Sequence, residues 1–232
     1  MSGLYGKLPG AGDFLTLNIP RKVLRPLEDW LSLSMTSARD QLGEGWETVF
    51  DTAPAWNFWI GAQVMGHPMA GTMLPSRDRV GRRFPALGFL GGKEPFEISP
   101  PIVEFDSEPY ARLRAKLYGL QALPEDQLHR GLEQLSEGAA APDALGGPAL
   151  PTSGFWAVGQ TRGPAGLAAL IQDMESADHL HAAAGRSYWW CDGDATRVPA
   201  IHAAAGMPEP AVFGWFLQGL GESSFTTAGQ SA

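Results

Sequence analysis

Three short apolar runs, Trp56–Ile60, Met69–Leu74 and Phe84–Leu90, follow one another with only brief spacers marked by Gly and Pro. Parallel neighbours need a long crossover, so spacers this short favour antiparallel strands of one sheet. The stretch before them has a different period. Leu24, Leu27, Leu31, Met35, Ala38 and Leu42 step by three or four, which predicts one helix after Pro20 with Gly43 as its stop. A shorter amphipathic segment, Trp46–Asp51, ends before Pro54, and Leu4–Leu8 reads as a strand running into the tight loop Pro9-Gly10-Ala11-Gly12.

Beyond the three runs, Ile102–Phe105 is expected to be a fourth strand leading into a helix capped by Ser107, with Tyr110, Leu113, Leu117 and Leu120 on one face. Pro124 opens another helix that carries Leu128, Leu132 and Leu135. Residues 138–153, rich in Ala, Gly and Pro, read as a surface connection. Then follow a strand (Phe155–Val158), a helix (Leu167–Met174), strands at Tyr188–Cys191 and Val198–His202, and an apolar segment at Val212–Leu217. Residues 221–232 read as a flexible tail. The piece after 153 is too small and too apolar to stand alone, so 1–220 is expected to be a single domain. Strands mixed with helices imply a sheet covered on both faces: an α/β fold, a three-layer α/β/α sandwich with a mixed, partly antiparallel sheet.

The net charge of −8 excludes a general nucleic-acid binder, which needs a positive field. The imbalance lies in the second half: residues 1–116 hold 13 Lys/Arg against 13 Asp/Glu, and 117–232 hold 4 against 12. Cys191 is the only cysteine, which rules out an intramolecular disulfide and a cysteine zinc site. The first residues lack a signal-peptide pattern and no apolar stretch approaches a membrane span, so a cytoplasmic protein with no direct membrane insertion is expected. Eight tryptophans call for a thick core or a partner surface.

Three motifs carry candidate chemistry. Gly10-Ala11-Gly12-Asp13-Phe14 is similar to the phosphate loop of sugar kinases, but it lies at the start of the chain and no second phosphate-binding element accompanies it. A glycine turn in which Asp13 bonds local amides is the simpler reading. Ser76-Arg77-Asp78-Arg79-Val80-Gly81-Arg82-Arg83-Phe84-Pro85 is the one dense positive patch. Its guanidinium forks suit an acidic partner or phosphate, or an internal ion-pair cluster in which Arg79 or Arg82 holds Asp13 or Asp78. In Tyr188-Trp189-Trp190-Cys191-Asp192-Gly193-Asp194, a strand sends Trp189 and Trp190 to opposite faces before a turn at Asp192-Gly193. Cys191 reads as a small buried hydrophobe, and two turn carboxylates are a weak cation signal. The histidines show only His179-x-His181, and no Gly-x-Ser-x-Gly elbow exists.

Together these segments resemble the TagF family. The resemblance rests on Gly6-Lys7-Leu8-Pro9 with Gly12-Asp13-Phe14, Trp30 in the first helix, Ala53-Pro54-x-Trp56-x-Phe58, the 75–85 segment, and Tyr188-Trp189-Trp190-x-Asp192-Gly193. It departs at Ala11, where the family commonly has arginine, and at Cys191, where threonine is usual. Some relatives carry a fused phosphatase domain, and none is read in this sequence. The resemblance implies the three-layer sandwich and a non-enzymatic, post-translational repressor of bacterial type VI secretion without a cofactor. Its implied partner is a cytoplasmic forkhead-associated scaffold protein. Gly12, Asp13, Phe14, Ser76, Asp78, Arg79, Arg82, Arg83, Trp189, Trp190 and Asp192 are the candidate site residues. Two other readings are a phosphate-handling enzyme built on Asp13 and the 77–83 arginines, and a structural subunit of the secretion apparatus.

Overall fold

Among the described residues seven strands, β1 (Gly3–Gly6), β2 (Leu15–Leu17), β3 (Trp56–Ile60), β4 (Met69–Leu74), β5 (Ala86–Phe89), β6 (Arg186–Cys191) and β7 (Ala200–Ala205), form one sheet in the order β2-β1-β5-β4-β3-β6-β7. The computed structural model describes residues 2–91, 99–136 and 182–219. All six pairings among the described strands are antiparallel, which corrects the expectation of a mixed sheet. The reason is local: β3 to β4, β4 to β5 and β6 to β7 are direct neighbours joined by short links, and such links reverse the chain. Gly71 allows β4 and β5 to lie close, because a Cβ there would fall 2.0 Å from the Gly88 carbonyl oxygen.

The helices among the described residues are α1 (Arg21–Leu42), α2 (Trp46–Asp51), α3 (Ala62–Met65), α4 (Glu108–Gln121), α5 (Glu125–Ser136) and α6 (Phe213–Gln218). Alternation along the strands divides their side chains between two cores. Tyr5, Phe58, Ile60, Met73, Leu87 and Trp189 join Leu27, Trp30 and Leu31 of α1, Phe50 of α2 and Phe216 of α6. From the opposite faces of the same strands, Leu4, Leu74 and Ala86 join Leu113 and Leu117 of α4 and Leu128 of α5. Trp59, Tyr188 and Trp190 form a third cluster with Tyr110 of α4.

Tryptophan indoles also tie the C-terminal segment to the front of the chain. Trp30 Nε1 donates to the Pro208 carbonyl at 2.8 Å, and Trp56 Nε1 to that of Phe216 at 2.7 Å. Buried indoles usually find such a partner, and these two bonds help position the C-terminal segment that carries α6.

Several boundaries differ from the sequence reading. β2 is a three-residue edge strand that pairs Leu4 with Leu17, and its short Leu-Thr-Leu run carries too little pattern to predict. Ile102–Phe105 is not a strand: Ile102 and Val103 lie in a turn after Pro100-Pro101, and Ile102, Val103 and Phe105 are all exposed. Ser107 precedes α4 without a side-chain capping bond, whereas Asp106 Oδ1 accepts the Glu108 amide at 2.9 Å. The last strand spans Ala200–Ala205, two residues later than expected at its start, and the closing apolar segment is helical. The connection at 138–153, the elements expected at Phe155–Val158 and Leu167–Met174, and the tail at 221–232 lie outside the described residues.

Candidate functional site

β1 pairs with both β2 and β5, so the loop 7–14 after β1 and the loop 75–85 before β5 emerge at the same end of the sheet. The second loop folds back on itself. Arg77 bridges Arg83, the Phe84 amide donates to the Ser76 carbonyl at 3.0 Å, and the Asp78 amide to that of Arg82 at 3.1 Å. Gly81 closes the turn at φ 88°, a left-handed conformation that favours glycine.

Asp78 is the hub. Its Oδ1 accepts the amides of Val80 at 3.1 Å and Arg82 at 2.9 Å. Its Oδ2 accepts Lys7 Nζ at 2.9 Å and Arg82 Nε at 2.6 Å. The carboxylate is buried, which alone would raise its pKa. Hydrogen bonds from Lys7 and from the backbone and guanidinium of Arg82 outweigh that cost and hold it far below the usual carboxylate range. One carboxylate therefore serves two cations and two amides, and the loop conformation depends on it.

The remaining arginines extend this anchoring. The Arg79 amide donates to the Ala11 carbonyl at 2.8 Å, Arg82 Nη2 donates to that of Gly12 at 2.9 Å, and the Arg79 guanidinium pairs with Glu125 of α5. Arg83 grips Asp51 of α2 through two bonds, at 2.9 and 2.8 Å, and reaches Glu47 at 3.0 Å. Lys7 Nζ sits 4.9 Å from the Phe14 ring centroid, and Phe14 packs edge-on against Phe84 at 4.8 Å. The loops are thus joined to each other and to helices from both cores.

The internal ion-pair reading holds for Arg82 with Asp78. It is corrected for Asp13, whose Oδ1 accepts the Phe14 amide at 2.8 Å as in an ordinary turn, while Arg79 goes to Glu125. Ser76 contributes its backbone, and its buried hydroxyl has no hydrogen-bond partner among the described residues. Sequence reasoning missed Lys7, Asp51 and Glu125 as partners. Only Lys7 left a signal: a lone cation inside the apolar run Leu4–Leu8.

Trp189, Trp190 and Asp192 belong to a different place, since β4 and β3 separate β6 from β5. Trp189 is fully buried between Trp30 at 5.1 Å, Phe58 at 5.0 Å and Phe216 at 5.6 Å. Trp190 faces the other way, edge-on to Tyr110 at 4.8 Å. Asp192 pairs with Arg114 of α4 at 2.6 Å, and Asp194 with Arg197 at 2.7 Å. Cys191 is buried, which pushes its thiol pKa up. Among the described residues no group of three His, Cys, Asp or Glu side chains is placed to hold a metal, and no helix is long and apolar enough to cross a membrane.

These environments set a pH dependence. Arg83 lowers the pKa of Asp51, and the Thr196 amide and hydroxyl with Arg197 lower that of Asp194 to about 2. With Asp78, three carboxylates have folded pKa values below the unfolded value of about 3.9. The stability they contribute is present above that value and is lost as pH falls through the lowered ones. Burial also lowers the His202 pKa, so the unfolded chain takes up that proton first and some stability is lost below about pH 6.5. The melting temperature is expected to fall slightly from pH 7 to 5 and steeply from about pH 4 to 2. A flat profile down to pH 3 would contradict these assignments.

Fold and site together define a mixed α/β protein with a tryptophan-rich core and an arginine-anchored loop pair at one end of its sheet. The family model of the TagF N-terminal domain, described as Type VI secretion system-associated, matches residues 3–135, and the chain belongs to this family. That span contains both loops, the carboxylates that hold them and helices α1 to α4. The structure is similar to the crystal structure of PA0076 from Pseudomonas aeruginosa PAO1, with 28% identity, a TM-score of 0.70 and 96% of each chain covered. No curated protein matches.

Proposed function

We propose that this type VI secretion-associated protein is a non-enzymatic, post-translational negative regulator, which acts in the cytoplasm by binding a forkhead-associated scaffold protein. The observation that carries the reading is the tip of the loop pair. Phe14 is 45% and Val80 69% exposed, beside the half-exposed side chains of Arg79 and Arg82. The buried Asp78 cluster holds that tip in one shape, so docking there costs little ordering entropy. Apolar residues held rigidly in water beside arginines suit a protein interface. Arg79, Arg82 and Arg83 each give side-chain donors to internal carboxylates or carbonyls, which favours a scaffolded contact surface over phosphate chemistry. The two-sided core likewise supports the three-layer α/β/α sandwich for the whole domain.

The test is capture of the purified scaffold by the wild-type chain and by Val80→Asp. Only the amide of Val80 is engaged by the loop, so the variant is expected to keep its stability within about 0.5 kcal/mol. Its capture should weaken by about tenfold or more. Full capture by a folded Val80→Asp would remove the tip from the interface.

A further inference from the structure

The segment that the sequence led us to expect as a strand, 102–105, is instead an exposed ridge. Ile102, Val103 and Phe105 are 39%, 47% and 58% exposed, an unusual density of large apolar side chains in water. Directly beside it, at the start of α4, a pocket is lined by Glu104, Phe105, Asp106 and Tyr110. No ion pair engages Glu104 or Asp106 among the described residues. The nearby arginines are committed elsewhere: Arg112 to Glu108 at 3.6 Å and Arg114 to Asp192 at 2.6 Å.

Tyr110 supplies the second, independent observation. It is only 3% exposed, its ring is fixed edge-on against Trp190, it lines the pocket, and among the described residues its hydroxyl makes no hydrogen bond. A phenol hydroxyl on a pocket wall can take a hydrogen bond from a ligand's donor. Burial and the neighbouring Asp106 carboxylate raise its pKa, so the hydroxyl remains neutral and its oxygen can accept.

We propose that this pocket receives the guanidinium of an arginine presented by a partner protein, with flanking apolar residues of that partner resting on Ile102 and Val103. The chemistry is complementary in each part. Two carboxylates that no described cation pairs with attract a guanidinium, the Tyr110 oxygen accepts one of its donors, and the Phe105 ring offers it a planar face. Asp106 already accepts the Glu108 amide, which offsets the positive end of α4 that would otherwise oppose a cation. The site is acidic, is distinct from the arginine-bearing loop pair, and does not depend on the function proposed above.

The experiment is an amide and indole NMR titration of the full chain with the capped tripeptide acetyl-Leu-Arg-Leu-amide, repeated with citrulline in place of arginine. Saturable shifts are expected at residues 99–110 and at the Trp190 indole, and none with the citrulline peptide. Glu104 is exposed, so Glu104→Gln leaves folding intact and should weaken binding about threefold or more. Tyr110→Phe removes only the hydroxyl and should weaken it similarly, with ring packing and melting temperature retained. Equal binding of the citrulline peptide, unchanged affinity of Glu104→Gln, or shifts located elsewhere would overturn the proposal.

Discussion

Asp78→Ala is expected to lower the melting temperature by roughly 10 °C, an unusually large effect for one loop residue. Lys7 is only 6% exposed, and the substitution leaves its ammonium without a counter-ion. It also strands the Val80 and Arg82 amides that define the turn, and frees Arg82 from its shortest bond. Removing one member of a buried charge pair is costly because the other remains desolvated. Arg82→Ala is the informative comparison. The Arg82 side chain is 59% exposed and Asp78 keeps Lys7, so its loss should shift the midpoint by only a few degrees, about a third as much. Equal midpoints for Asp78→Ala and the wild type would mean that the loop pair is held by something other than this carboxylate.

Trp189→Ala should be at least as damaging, for a reason that involves no charge. Trp189 is 0% exposed and lies where α1, β3 and α6 meet, in ring contact with Trp30, Phe58 and Phe216. Truncation removes a large apolar surface and leaves a cavity that three bulky rings cannot collapse to fill, at a cost of about 3–5 kcal/mol. Trp215 on α6 is 56% exposed, and Trp215→Ala should stay within about 0.5 kcal/mol of the wild type. Chemical denaturation of both variants checks the contrast. Comparable losses would mean that the buried core is not centred on Trp189.

The elements with a repeated period were readable from the chain alone. α1 repeats its apolar face over six turns and ends at Gly43, whose φ of 53° explains why the stop is a glycine. β3, β4 and β5 were readable because short spacers leave adjacent strands few other arrangements. Ile102–Phe105 is not legible in this way, because its apolar run is exposed and burial depends on neighbours that a local pattern does not describe.

The candidate site shows the same division. The dense arginines of 77–83 marked the loop, and the Asp78 turn is local enough to anticipate. The contacts of Lys7 with Asp78, Arg83 with Asp51 and Arg79 with Glu125 span 71, 32 and 46 residues. Only the strand order brings those pairs together, and no short-range rule contains it. Trp189, Trp190 and Asp192 looked like one motif because they are consecutive on a strand. The strand's alternation sends the two indoles into separate cores, and Asp192 reaches Arg114 of α4.

The role proposed for this chain is restraint of type VI secretion after translation. The most direct measurement is the amount of a type VI substrate in the culture medium of an actively secreting host as the chain is produced from an inducible promoter. Transcript levels of the secretion genes are followed in the same cultures. Secretion should fall with induction while those transcripts stay constant, and Val80→Asp should restore it. Undiminished secretion at high levels of folded protein would contradict the account.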